Sequence, residues 1–132
     1  MSNLENKSVA LIIEDDPDLV HIFASALKLS DYETSTVEDG QAALAVLKQI
    51  VPDVVVLDLH LPGLSGREIL QAIREDGRLH QTRVILATAD YRSAEDLRND
   101  ADLVLLKPIS FKQLRDLSAR FNQMKKQAAA IP

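Results

Sequence analysis

Cysteine is absent from the 132 residues. That excludes disulfides, thiolate metal sites and cysteine nucleophiles together, and it suits a reducing compartment, so a cytoplasmic location is expected. Cations are the minority charge, 15 Lys and Arg against 20 Asp and Glu, for a formal net charge of −5. Such a balance lacks the basic stripe that neutralises nucleic-acid phosphates, and direct DNA binding is not expected. No apolar run approaches the roughly 18 residues that a membrane-spanning helix requires. Met1 to Lys7 is polar with no apolar signal core, and a soluble chain that does not enter a membrane is expected. What is present, 46% hydrophobic and 27% charged residues, is the composition of one ordinary globular domain.

Short apolar runs alternate with amphipathic stretches through five cycles, which predicts an α/β fold with a parallel sheet covered on both faces. Val9 to Ile13, Val54 to Leu57, Arg83 to Ala87 and Asp102 to Leu106 are nearly continuous runs of Val, Ile and Leu, as buried parallel strands are. Tyr32 to Thr36 alternates instead, which fits an edge strand with one face toward water. Leu19, Ile22, Phe23, Ala26 and Leu27 repeat at helical spacing behind Pro17, with Asp16 as the cap. A second helix spans about Gln41 to Gln49. The third opens at Ser65-Gly66-Arg67-Glu68 and the fifth at Ser110-Phe111-Lys112-Gln113, both in the pattern of a capping box. The fifth sets Phe111, Leu114, Leu117, Phe121 and Met124 on one face. The fourth, about Ser93 to Asn99, has little beyond Ala94 and Leu97 to bury and is the weakest element. One domain is expected over residues 7–126, with 127–132 as a frayed tail.

Acidic residues gather at strand ends. The first strand runs into Glu14-Asp15-Asp16 and the third into Asp58. Open α/β sheets bind ligands at the carboxyl edge where the strand order reverses, and in the order 2-1-3-4-5 that crevice lies between strands 1 and 3. The fourth strand adds Thr88 and the fifth Lys107 to the same edge. Carboxylates packed together repel unless protonated or bridged by a cation, and a hard divalent ion with oxygen ligands answers that need. Glu14, Asp15 and Asp58 against Lys107 leave a local charge near −2, which one Mg²⁺ neutralises; Ca²⁺ stays open on charge alone. A fixed ammonium beside the ion argues for a transferred anion such as a phosphoryl group.

Ile12-Ile13-Glu14-Asp15-Asp16-Pro17, Leu57-Asp58-Leu59-His60-Leu61-Pro62-Gly63, Thr88-Ala89 and Lys107-Pro108, in that order, resemble the bacterial response-regulator receiver family from about Lys7 to Met124. The resemblance implies a flavodoxin-like, doubly wound five-stranded sheet of order 2-1-3-4-5 and a two-component or phosphorelay role. It implies that Asp58 is the phosphoacceptor, that Asp15 and Asp58 ligate Mg²⁺, and that Glu14 acts largely through water. The His60 main-chain carbonyl is the remaining implied ligand. Thr88 and Lys107 match the hydroxyl and the lysine that meet the phosphoryl group. The implied donor is a phosphohistidine on a sensor histidine kinase or histidine phosphotransfer protein, the output partner an unnamed protein. A cis bond before Pro108 is also implied.

Three departures qualify this. Val104 stands where the family usually has Tyr or Phe, Asp100 where it often has Gly, and the interval from Thr88 to Lys107 is short. They put in doubt the standard output surface and leave a second reading, a degenerate receiver acting as a phosphorylation-independent docking module. An enzyme of the haloacid-dehalogenase type fits poorly, because its Asp-x-Asp follows the first strand, whereas Asp58 follows the third and is succeeded by Leu59-His60. The expectation is a switch that assists only its own phosphorylation and dephosphorylation. Asp16 reads as a cap more than a ligand, His60 as an exposed loop residue, and His21 and His80 as surface groups without ligand partners. Asp90 is either a solvated loop carboxylate or a group that biases water access.

Overall fold

The computed structural model describes residues 7–130. Strands β1 (Ser8–Ile13), β2 (Tyr32–Val37), β3 (Val54–Leu57), β4 (Arg83–Thr88) and β5 (Leu103–Leu106) alternate with helices α1 (Pro17–Leu29), α2 (Gly40–Leu47), α3 (Gly66–Glu75), α4 (Tyr91–Leu97) and α5 (Phe111–Ala130). The strands form one sheet in the order β2-β1-β3-β4-β5, every pairing parallel. This is the α/β architecture and the strand order that the sequence predicts.

Successive strand residues point to opposite faces, and two cores result. Leu11, Ile13, Val55, Leu57, Val84 and Leu86 meet Ala43 and Leu47 of α2 and Ile69, Leu70 and Ile73 of α3. Ala10, Ile12, Val54, Val56, Ile85 and Ala87 meet Phe23, Ala26 and Leu27 of α1 and Leu114 of α5. Edge strand β2 buries Tyr32 while Glu33 faces water. Asp16 caps α1, its carboxylate accepting from the amides of Asp18 and Leu19, with Pro17 in the first turn. Ser65 and Ser110 cap α3 and α5 by accepting from the amides of Glu68 and Gln113.

The structure corrects the sequence reading at several helix boundaries. Helix α2 begins at Gly40 behind the cap Asp39. Helix α4 begins at Tyr91, because the Asp90 carboxylate accepts from the Ser93 amide and so supplies the cap. Asp90 is therefore a structural cap and not a merely solvated carboxylate. Helix α5 runs on through Gln127 to Ala130, where a tail was expected. Its inward face is also less apolar than the spacing suggests. Met124 is 46% exposed, while Ser118 and Asn122 are buried. Asn122 earns its burial by bonding: its amide oxygen accepts from the Ser8 hydroxyl at 2.6 Å and its NH₂ donates to the Ser30 carbonyl at 2.9 Å. Among the described residues no helix is long and apolar enough to cross a membrane.

Candidate functional site

The site is built by strand continuation. The Asp58 amide donates to the Ile13 carbonyl at 3.0 Å, extending the pairing of β3 with β1 by one residue. That bond sets Asp58 beside Glu14, just beyond the last residue of β1. Likewise the Lys107 amide donates to the Thr88 carbonyl at 2.8 Å, so the ends of β4 and β5 deliver Thr88 and Lys107 side by side. Carboxylate oxygens of Glu14, Asp15 and Asp58 come within 4.8 Å of one another. Lys107 Nζ lies 2.9 Å from Glu14 Oε1 and 3.4 Å from Asp58 Oδ2. The sequence expectation that four strand ends converge is met by backbone pairing and by these contacts.

Burial differs within the cluster, and so does charge behaviour. Glu14 is 1% exposed and Asp58 5%, while Asp15 faces solvent. Burial pushes the Glu14 carboxyl above its ordinary value of 4.5, against the opposing hydrogen bond from Lys107. Glu14 Oε2 also accepts from the amides of Asp15 and Asp16 at 3.1 and 3.2 Å, which fixes the turn that presents Asp15. Burial would lower the Lys107 ammonium, but bonds and charge from Glu14 and Asp58 outweigh it and hold the group above its usual range. Lys107 is thus a permanent cation over the acidic pair. Thr88 is fully buried, and its hydroxyl accepts from the Asp90 amide at 3.1 Å.

An all-oxygen donor set, one exposed and two buried, with more negative than positive charge, has the chemistry a hard divalent ion requires. Glu14, Asp15 and Asp58 fit such an ion. Groups of three or more His, Cys, Asp or Glu side chains able to hold a metal occur at no other place among the described residues.

His60 is exposed, as expected, and its amide donates to Asp58 Oδ1 at 3.1 Å. Its ring lies 3.5 Å, Nε2 to Oδ2, from Asp90, a contact that the sequence reading missed. The clue was positional: His60 follows Asp58 by two residues as Asp90 follows Thr88, on neighbouring strands. Bonds from the Ser93 hydroxyl and amide hold the Asp90 carboxyl below the usual range. His21 and His80 are exposed and away from the cluster. The peptide bond between Lys107 and Pro108 is cis, as the resemblance implies. A groove of about 970 Å³ opens at the opposite end of the strands, where Arg74 meets Asp102 and Lys125 meets Asp53.

Comparison with known proteins agrees with this geometry. Residues 10–119 match the response regulator receiver domain family. The DNA-binding response regulator MtrA of Mycolicibacterium smegmatis is 30% identical over 104 residues, covering 79% of this chain and 46% of that protein. The chain therefore spans about half the length of such curated relatives. Response regulator DrrB of Thermotoga maritima is 27% identical with a TM-score of 0.79, covering 90% of this chain and 54% of that one. The Mn²⁺-bound response regulator Rcp1 is 26% identical with a TM-score of 0.74, covering 95% and 99% of the two chains. A family match over most of the chain, on a sheet that gathers Glu14, Asp15, Asp58, Thr88 and Lys107, shows that the chain belongs to the response regulator receiver family of two-component signalling.

Proposed function

We propose that Asp58 accepts a phosphoryl group from a phosphohistidine of a sensor histidine kinase or histidine phosphotransfer protein, and that the added charge switches a protein-interaction surface. The observation that carries this is the Asp58 carboxylate, 5% exposed yet 3.4 Å from the Lys107 ammonium and grouped with two further carboxylates. An Asp58 oxygen attacks phosphorus, the bond from phosphorus to the histidine nitrogen breaks, and the electron pair leaves on the imidazole. The product is an aspartyl phosphate.

Each neighbour has a task the geometry supports. The His60 amide bonds Oδ1 and orients the carboxylate, leaving Oδ2 toward Lys107. Lys107 offers its ammonium to the phosphoryl oxygens, and Glu14 anchors that ammonium from behind at 2.9 Å. Thr88 offers a hydroxyl once the phosphoryl group draws it from the Asp90 amide. Asp15 and Asp58 would hold Mg²⁺ through their carboxylates, Glu14 through water and His60 through its main-chain carbonyl. Bound there, Mg²⁺ supplies charge neutralisation to the acidic cluster and to the transferred group.

The domain assists its own phosphorylation and hydrolysis and turns over no independent substrate. Its partners are proteins, in the cytoplasm; the net charge of −5 offers no bulk attraction to DNA phosphates. The test is transfer from a ³²P-labelled histidine phosphotransfer protein to the full chain. Label that moves to wild type in Mg²⁺ but not to Asp58→Asn supports the assignment, and equal labelling of the variant overturns it.

A further inference from the structure

We infer that Gly40 and Gly66 are positioning residues, which seat the acceptor segment between the first turns of two helices. The inference rests on the reading of Asp58 as acceptor. Gly66 opens α3 and Gly40 opens α2, and both are buried. The chain from Asp58 to Ser65 lies against them. The Gly66 amide donates to the Leu59 carbonyl at 3.1 Å, and the Gly40 amide to the Pro62 carbonyl at 3.2 Å. Each glycine thus bonds the segment that it also touches.

The space is closed to any side chain. A Cβ at Gly66 would overlap the Asp58 carbonyl oxygen and lie 2.6 Å from Leu59 Cα. A Cβ at Gly40 would overlap the Leu64 carbonyl oxygen and lie 2.6 Å from Leu64 Cβ. Both are inside the 3.0 Å that side-chain carbons keep from their neighbours. Both glycines stand at the first helical position with φ outside the left-handed region, so the close contact and not the backbone conformation accounts for them. Gly77 differs, with nothing within 4 Å of an added Cβ.

Something must move when either position is filled. Helix α3 is fixed by buried Ile69, Leu70 and Ile73, and α2 by buried Ala43 and Leu47. The intervening segment is less well held, since His60, Pro62 and Gly63 are exposed. It is therefore the segment that shifts, taking with it the His60 amide that orients Asp58 Oδ1. Gly40 is far from Asp58 in sequence and touches no group of the acidic cluster, yet it reaches the acceptor through Pro62 and Leu64.

The experiment reads two quantities on the full chain: the rate of phosphoryl incorporation from acetyl phosphate with Mg²⁺, and the position of the His60 amide in ¹H–¹⁵N spectra without it. Gly40→Ala and Gly66→Ala are expected to shift the His60 amide and to slow incorporation by about tenfold to a hundredfold, the scale of an ångström-sized misplacement. Gly77→Ala, in open space, and Leu79→Ala, which weakens the core at the opposite end of the strands, should leave both readouts near wild type. If Gly66→Ala does not fold, Gly40→Ala decides, because its added Cβ overlaps the main-chain carbonyl oxygen of Leu64 just as one at Gly66 overlaps that of Asp58. Folded Gly40→Ala with an unmoved His60 amide and an unchanged rate overturns the inference. A wild-type chain that takes up no phosphoryl group overturns the proposed function instead, and the amide shift still judges the seat.

Discussion

Two buried ionisable residues at opposite ends of the sheet make separable demands on pH. Glu14 is buried beside a single cation, and burial already holds its carboxyl above 4.5. Removing Lys107 leaves that carboxylate uncompensated, so Lys107→Ala should lower stability in metal-free buffer by at most about 3–5 kcal/mol. A carboxyl raised in the folded state contributes stability below its unfolded value and loses it as pH rises through the folded one. The penalty of Lys107→Ala is therefore expected to be largest at pH 8 and to shrink toward pH 5, and denaturant melts of both proteins at the two values would show it. A penalty that grows on acidification would contradict the account. At the other end, burial and then the Asp53 charge push the Tyr32 phenol up from its ordinary value of 10, while its hydroxyl donates to the Ser118 carbonyl at 2.8 Å. The unfolded chain loses this proton first, so stability should fall as pH rises past about 10. Tyr32→Phe should flatten that alkaline limb.

Among the α-helices, α4 buries the fewest residues. Its seven residues bury only Ala94 and Leu97. Its exit is nevertheless pinned from another helix: Arg74 of α3 donates to the Asp100 carbonyl at 2.7 Å, to the Thr82 carbonyl at 3.1 Å and to the Asp102 carboxylate at 2.9 Å. Asp102 in turn accepts from the Val84 amide at 2.7 Å, where β4 begins. Asp100 needs no glycine-like backbone, because Asp31 alone among the described non-glycine residues has a positive φ. Arg74→Ala should cost about 2 kcal/mol, the range for hydrogen bonds to charged groups. It should also speed amide exchange across residues 99–102 while α1 and α3 keep their protection. Uniform loss of protection would instead mean that Arg74 supports the whole fold.

Across the molecule, what could be read from the sequence follows from what generates a repeating pattern. Buried strands announce themselves as runs of Val, Ile and Leu, and Asp58 and Lys107 stand out as charges that end such runs. Caps at Asp16, Ser65 and Ser110 are local, so their spacing revealed them. The polar seam of α5 was hidden, because Ser118 and Asn122 are buried only by bonds or packing that join distant parts of the chain. The pairing of His60 with Asp90, the Arg74 clamp and the close approaches at Gly40 and Gly66 were hidden for the same reason.

The claim that binds these scales is that one carboxylate, Asp58, takes the phosphoryl group. Intact-protein mass after incubation with acetyl phosphate, with and without Mg²⁺, addresses it directly for wild type and Asp58→Asn. The account predicts a single Mg²⁺-dependent phosphoryl adduct on wild type and none on the variant. An adduct that persists in Asp58→Asn, or no adduct from either small donors or a phosphohistidine protein, would contradict it.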